Sequence, residues 1–312
     1  MEKQRYMYHM NYQMHEKELC LLEMRALFAR EVDSKVFFSD RGLDCSISPF
    51  MRNRLKLMYS AASLDEIVRL IEQDKLKSDC FLVRYMDLTS EERNRTEHKE
   101  ICKLIGCAIT GEVSFKSPDM IFGITLYGGS WYFGIFSSND NTWRRHIDKP
   151  YSYSSSIGIT TAKALVNIAA NGDFGKKIID PCCGVGTVLL EGAIAGYDIV
   201  GCEINDKIAE NARKNLGHFD YSIRVETGDI KDIAEHYDVS IVDLPYGNRT
   251  IIHSETHLHI IRNAKRISDK LILISSSDLG DLIVDEGYEL IDYCKVSKSM
   301  KHTFSRYIWV CV

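Results

Sequence analysis

The chain has 312 residues, 45% of them apolar and 27% charged, with only five prolines. That is long for one domain and ordinary for folded proteins, so two domains are expected and the disordered and fibrous classes are excluded. The net charge of −5 arises wholly after residue 150, so neither half is a basic glove for nucleic acid, and phosphate contacts would need a local patch on the first half. Residues 1–20 mix charges with tyrosines and histidines, and no apolar run approaches the roughly 18 residues of a bilayer span, so neither a membrane partner nor a secretory signal is expected. The ten cysteines form no Cys-x-x-Cys pair, which suits reduced thiols in the cytoplasm and disfavours a disulfide framework or zinc ribbon.

In chain order, residues 16–28 carry Leu19, Leu22, Met24 and Leu27 as a helical stripe, and Ser63-Leu-Asp-Glu66 is a capping box opening a helix. Residues 120–126 and 130–136, separated by Tyr127-Gly128-Gly129, predict a hairpin. The first half is thus α+β. Around residues 139–156 the chain turns polar, and a domain connection is expected near residue 150.

Beyond it the pattern alternates. Strands are expected at 177–180, 199–204, 221–226, 239–242 and 271–275, with helices at 188–195, 206–216 and 260–267 between them. Repeated β-α calls for a parallel sheet covered by helices on both faces. Two β-rich runs, 288–296 and 306–312, lack a helix between them and predict an antiparallel pair closing the sheet.

Where the first of these strands passes into a helix, the sequence reads Asp180-Pro-Cys-Cys-Gly-Val-Gly-Thr-Val-Leu-Leu-Glu191. Gly184 and Gly186 let a backbone approach a ligand closely. A dinucleotide is disfavoured, because Leu189 stands at the third glycine position and Asp180 would repel a pyrophosphate. Acids recur at later strand ends: Glu203 can take both hydroxyls of a ribose, and Asp229 can accept from an adenine amine. A nucleoside without phosphates suits this row, and the cationic sulfonium of S-adenosylmethionine tolerates the carboxylates.

The strand at 239–242 runs into Asp243-Leu244-Pro245-Tyr246 and stops at the proline, which supplies no ladder donor. Asp243 can accept one hydrogen of an exocyclic NH2 and the Leu244 carbonyl the other, while Tyr246 stacks on the base.

In order and content these motifs resemble those of class I S-adenosylmethionine-dependent amino-methyltransferases, and more closely the THUMP-domain RNA guanosine N2-methyltransferases. The likeness is carried by Asp180–Glu191, Glu203, Thr227-Gly-Asp229 and Asp243–Tyr246, with support from Trp143-Arg-Arg-His and the run to Asn167, and covers residues 90–250 best. Leu244 stands where the family has a first proline, keeping the carbonyl in a looser turn, and Cys182 with Val185 alters the first loop.

The resemblance implies an α/β chain: a Rossmann-like class I methyltransferase domain with a C-terminal antiparallel strand pair over 151–312, preceded over 1–150 by an α+β RNA-binding region with a THUMP-like domain. It implies an enzyme that uses S-adenosylmethionine to methylate an exocyclic amine, N2 of a guanosine in tRNA. Asp180, Cys182, Gly184, Gly186, Glu203 and Asp229 would bind the cofactor, and Asp243, Leu244, Pro245 and Tyr246 would form the catalytic corner. Open alternatives are an amino-methyltransferase acting on ribosomal RNA, DNA adenine or protein glutamine, and an RNA-binding protein whose methyltransferase fold has lost its rate.

For RNA, Trp143, Arg144, Arg145 and Lys149 form a candidate cluster in which the arginines hold a backbone while the ring packs on a base or sugar. Arg52, Arg54 and Lys56 would share one face of a strand. His253, His257 and His259 lack a ligand spacing for zinc, so no metal is expected and this segment reads as a loop over the crevice. A monomer is favoured over an oligomer.

Overall fold

The computed structural model describes residues 4–88, 95–153, 156–245, 251–297 and 305–312, with the backbone alone over 251–254. Its first part runs β1 (Tyr6–Met10), α1 (Lys17–Phe28), β2 (Val36–Ser39), β3 (Met51–Ala61), α2 (Leu64–Gln73), β4 (Lys77–Tyr85), α3 (Arg95–Ala108), β5 (Thr110–Val113), β6 (Met120–Tyr127) and β7 (Ser130–Ser138). A 3-10 stretch at Thr142–Asp148 leads into α4 (Ile159–Ala170), β8 (Lys177–Asp180), α5 (Thr187–Ala195), β9 (Asp198–Glu203), α6 (Asp206–His218), β10 (Val225–Thr227) and β11 (Tyr237–Asp243). The chain closes with α7 (Ile251–Ile267), β12 (Ser268–Ser275), α8 (Gly280–Asp285), β13 (Leu290–Ser297) and β14 (Ser305–Cys311).

Two compact units result, but they do not part at a single point near residue 150. One comprises Met1–Asn11, Ser34–Ser46 and Phe50–Asp140; the other comprises Tyr12–Asp33, Ile47–Pro49 and Asn141–Val312. Helix α1 therefore belongs to the second unit. Its Arg25 makes a bidentate ion pair with Asp292 of β13, at 2.7 and 3.0 Å. Its buried Glu23 accepts from Ser48 and from Asn167 of α4.

The first unit is one mixed sheet in the order β2-β1-β3-β7-β6-β4-β5. The hairpin expected at Gly128-Gly129 is present, with Phe122 opposite Ile135 and Tyr127 opposite Ser130. Ser63 caps α2 as the sequence pattern required, its Oγ accepting from the Glu66 N–H at 3.2 Å. Apolar faces of α2 and α3, with Ile67, Ile71, Ile101 and Ile105, pack on Phe81, Phe122 and Phe133 of the sheet.

The second unit is a seven-stranded sheet in the order β10-β9-β8-β11-β12-β14-β13. The first five strands are parallel, and β14 runs antiparallel to both β12 and β13. Every residue of β11 over Val239–Val242 and of β12 over Leu271–Ile274 is buried, the near-continuous apolar composition that two covered faces demand. Strand order reverses between β8 and β11, and such a switch point opens a crevice beyond the carboxyl ends of the strands. Two sequence expectations shift. The strand predicted at 221–226 shrinks to β10, because the Tyr221 N–H instead closes the end of α6 on the Leu216 carbonyl at 3.0 Å. The segment predicted as a loop over the crevice is the first part of α7. Among the described residues no helix is long and apolar enough to cross a membrane.

Candidate active site

Strand β8 delivers Asp180 to the switch point, and the chain then turns through Cys182 and Gly186 into α5. Gly184 and Gly186 have φ of +53° and +80°, left-handed values that disfavour side chains. A Cβ on Gly184 would meet no atom within 4 Å, so this backbone borders open space. That space is a cleft of about 780 Å³ whose lining includes Cys182, Gly184, Glu203, Asp229, Asp243, Leu244 and Pro245. Most residues expected at the site thus converge on one cavity. Asp180 and Gly186 lie beside it: Asp180 is buried beneath the loop, and Gly186 is the N-cap of α5.

Each strand-end acid is held by backbone. Asp180 Oδ1 accepts the Cys182 N–H at 3.2 Å. Glu203 Oε2 accepts from Gly184 at 3.0 Å and its Oε1 from Asn205 at 2.9 Å, so the carboxylate after β9 fixes the glycine loop after β8. Asp229 Oδ1 accepts from the Lys231 N–H at 3.0 Å and from His259 Nε2 at 2.9 Å. Burial raises the Asp180 carboxyl well above the usual range; the Cys182 N–H opposes this, and the charges of Asp243 and Glu203 add to it. Burial of Asp229 raises its carboxyl but is outweighed by the hydrogen bonds from His259 and the Lys231 N–H, which hold it below that range. The Cys182 and Cys183 thiols are pushed well up, by burial first and by Asp180 next. A thiol held protonated in this way is a poor nucleophile.

At the corner, Leu244 differs from the looser turn expected. Its N–H, which a proline would lack, donates to the Ile274 carbonyl of β12 at 3.0 Å, and its side chain is buried with Val242, Ile260 and Leu273. What Leu244 can offer the cleft is therefore backbone. Tyr246 lies outside the described residues.

Several lining residues were not singled out from sequence as cofactor or substrate contacts: Tyr153, Ile204, Glu255, Thr256 and His259. Ile204 carried a signal, an isoleucine 69% exposed directly after a strand-end acid. Tyr153 Oη accepts from Asn211 Nδ2 at 3.1 Å, fixing its ring at the rim.

The candidate RNA cluster separates by exposure. Arg144 and Arg145 are exposed and Lys149 is half-buried, with burial lowering the pKa of the Lys149 ammonium. Trp143, however, is only 3% exposed. Its ring lies against Arg144 and Lys163, whose charged groups stand 5.6 and 5.8 Å from the ring centre. It is a packing residue of the second unit and presents no face to a base. Arg145 donates to Tyr221 Oη at 2.7 Å and packs on Phe219 and Tyr221. Among the described residues no group of His, Cys, Asp and Glu could hold a metal ion.

Strand order, glycine loop and strand-end acids together define a class I methyltransferase domain. Residues 145–270 match the UPF0020 family, an RMKL-like methyltransferase domain. A tRNA (guanine(10)-N2)-dimethyltransferase of Methanothermobacter thermautotrophicus is 26% identical over 74% of this chain and 75% of its own. A tRNA (guanine(6)-N2)-methyltransferase of Archaeoglobus fulgidus is 24% identical over 70% and 67% respectively. The crystal structure of TrmN from Thermus thermophilus aligns over 98% of this chain and 99% of that one, at 16% identity and a TM-score of 0.49.

The cofactor of such a domain is S-adenosylmethionine, and the cleft fits it. Glu203, held from behind by two N–H groups, keeps lone pairs for ribose hydroxyls, and Gly184 leaves room for a ligand. The charges of Asp243 and Glu203 oppose ionisation of the buried Asp180, an opposition that a sulfonium or ammonium would offset.

Proposed function

We propose that the chain methylates the N2 amine of a guanosine in tRNA. The observation that carries this reading is the placement of Asp243, Leu244 and Pro245 on the same cleft as Gly184, Glu203 and Asp229. The names of the two relatives support guanine N2 in tRNA as the acceptor, and because they specify different nucleotides the position within tRNA is left out of the proposal.

In this mechanism Glu203 takes the ribose and Asp229 the adenine amine. Bound there, S-adenosylmethionine supplies an electrophilic methyl group on a cationic sulfur. Asp243 accepts one hydrogen of the substrate amine and the Leu244 carbonyl the other, which turns the nitrogen lone pair toward the methyl donor. As the nitrogen gains positive charge, the Asp243 carboxylate stabilises it, and the excess proton leaves the nitrogen for solvent once methyl transfer has begun, so no strong base is required and orientation supplies much of the acceleration. Pro245 ends the strand, and the family resemblance assigns Tyr246 to stack on the base.

The first unit would serve as the RNA-binding, THUMP-like part, with Arg52 and Lys56 exposed on β3. Arg54 is committed internally, donating to the Leu43 carbonyl and to Ser137 Oγ. Arg144 and Arg145, exposed on the second unit, would add phosphate contacts, and the cytoplasm is the compartment where tRNA is met. The test compares nucleosides of tRNA from cells with and without the protein. Loss of N2-methylated guanosine is expected; an unchanged nucleoside profile would contradict the assignment.

A further inference from the structure

The histidines of α7 were unassigned by the motif pattern, yet two of them touch functional parts of the cleft. His259 Nε2 lies 2.9 Å from Asp229 Oδ1. An ionised carboxylate only accepts, so the ring donates. The Lys231 N–H reaches the same oxygen at 3.0 Å, and Lys231 Nζ is 3.9 Å from Oδ2, beyond hydrogen-bond length. Two donors on one oxygen fix the rotation of the carboxylate and leave Oδ2 to accept from a ligand. The histidine is itself held in place. Asn263 Nδ2 donates to its carbonyl at 2.9 Å, and His257 Nε2 lies 3.2 Å from the Pro245 carbonyl, tying the start of α7 to the catalytic corner.

We infer that His259 is a positioning residue that orients Asp229 to accept the 6-amino group of the cofactor's adenine, so that part of the selectivity for an adenine nucleoside resides in α7. This rests on the assignment of Asp229 to that amine. It adds a role for a helix that the glycine loop and the Asp-Leu-Pro corner do not specify. His259 is suited to it because an imidazole N–H donates from a planar, short side chain, which fixes a carboxylate's angle better than a long flexible ammonium does.

The experiment is calorimetric titration of the full chain with S-adenosylhomocysteine and with S-inosylhomocysteine, which carries an oxygen in place of the amine. His259→Ala should weaken binding of the adenosine compound about five- to tenfold, the scale on which one typical hydrogen bond is felt. The inosine compound should be little affected, so the ratio of the two affinities falls by the same factor. His259→Gln, which retains an N–H donor, should restore the ratio to within about twofold of the parental value. A packing role for His259 would shift both ligands together and leave the ratio alone. A ratio unchanged in His259→Ala, or a His259→Gln variant no better than the alanine, overturns the inference. A parental chain without any preference for the amine overturns the Asp229 assignment and the inference with it.

Discussion

Glu203 can serve fold and ligand together. Its two carboxylate oxygens take the N–H groups of Gly184 and Asn205, one in the glycine loop and one at the N-cap of α6, and in the proposed function its remaining lone pairs accept from a nucleoside's hydroxyls. Hydrogen bonds to a charged group contribute about 1.5–3 kcal/mol each. Glu203→Ala should therefore weaken S-adenosylmethionine binding by at least about tenfold, read by titration, while a Kd within about twofold of the parental value would remove Glu203 from the site. Its place on the cleft was legible in the sequence because an acid at a strand end, downstream of a glycine loop, lies where the crevice of a parallel sheet opens. Trp143 was not legible in the same way. A tryptophan between polar residues and arginines reads as a surface feature, and nothing local reveals that Lys163, twenty positions on, buries a charge against its ring.

Strands and helices set what the residues can do. The sheet order could be anticipated from alternating β and α, since parallel strands need crossover helices. The α7 segment could not, because a His-rich, polar run after a proline corner carries little apolar periodicity. Leu244 is the informative departure at this scale. Its N–H extends the pairing of β11 with β12 by one bond, a bond that the family's proline forgoes. Leu244→Pro would leave the buried Ile274 carbonyl without that donor and remove a buried side chain, and should cost about 2–4 kcal/mol of stability. Chemical denaturation measures this directly; a variant as stable as the parent would mean that the turn is held by other contacts.

At the scale of the whole chain, the placement of α1 is the feature least visible in sequence. Its apolar stripe was evident, but nothing in the sequence marked Glu23 as a buried residue. Instead it is 0% exposed and bonded to Ser48 and to Asn167, a residue 144 positions away. Burial pushes its carboxyl up from 4.5 to about 7, against the hydrogen bonds of Ser48 and Asn167 and the charge of Lys163. Between pH 4.5 and 7 the native state then holds a proton that the unfolded chain has lost, so this group's contribution to stability is greatest below that window and declines as pH rises through it. Glu191, also raised by burial, acts in the same sense. Glu23→Gln should make the fall in unfolding free energy between pH 5 and 7.5 shallower by about 1–3 kcal/mol. An unaltered slope in paired denaturation series would show that Glu23 keeps an ordinary affinity for protons.

The account as a whole turns on Asp243, the carboxylate at the end of β11 that lines the same cleft as Glu203 and Asp229. The most direct measurement sets methyl transfer to tRNA against cofactor affinity in Asp243→Ala. Turnover should fall at least about 100-fold, the scale on which removal of one transition-state-stabilising group is felt, with the Kd for S-adenosylmethionine within about threefold of the parental value. Methyl transfer at the parental rate would contradict the account.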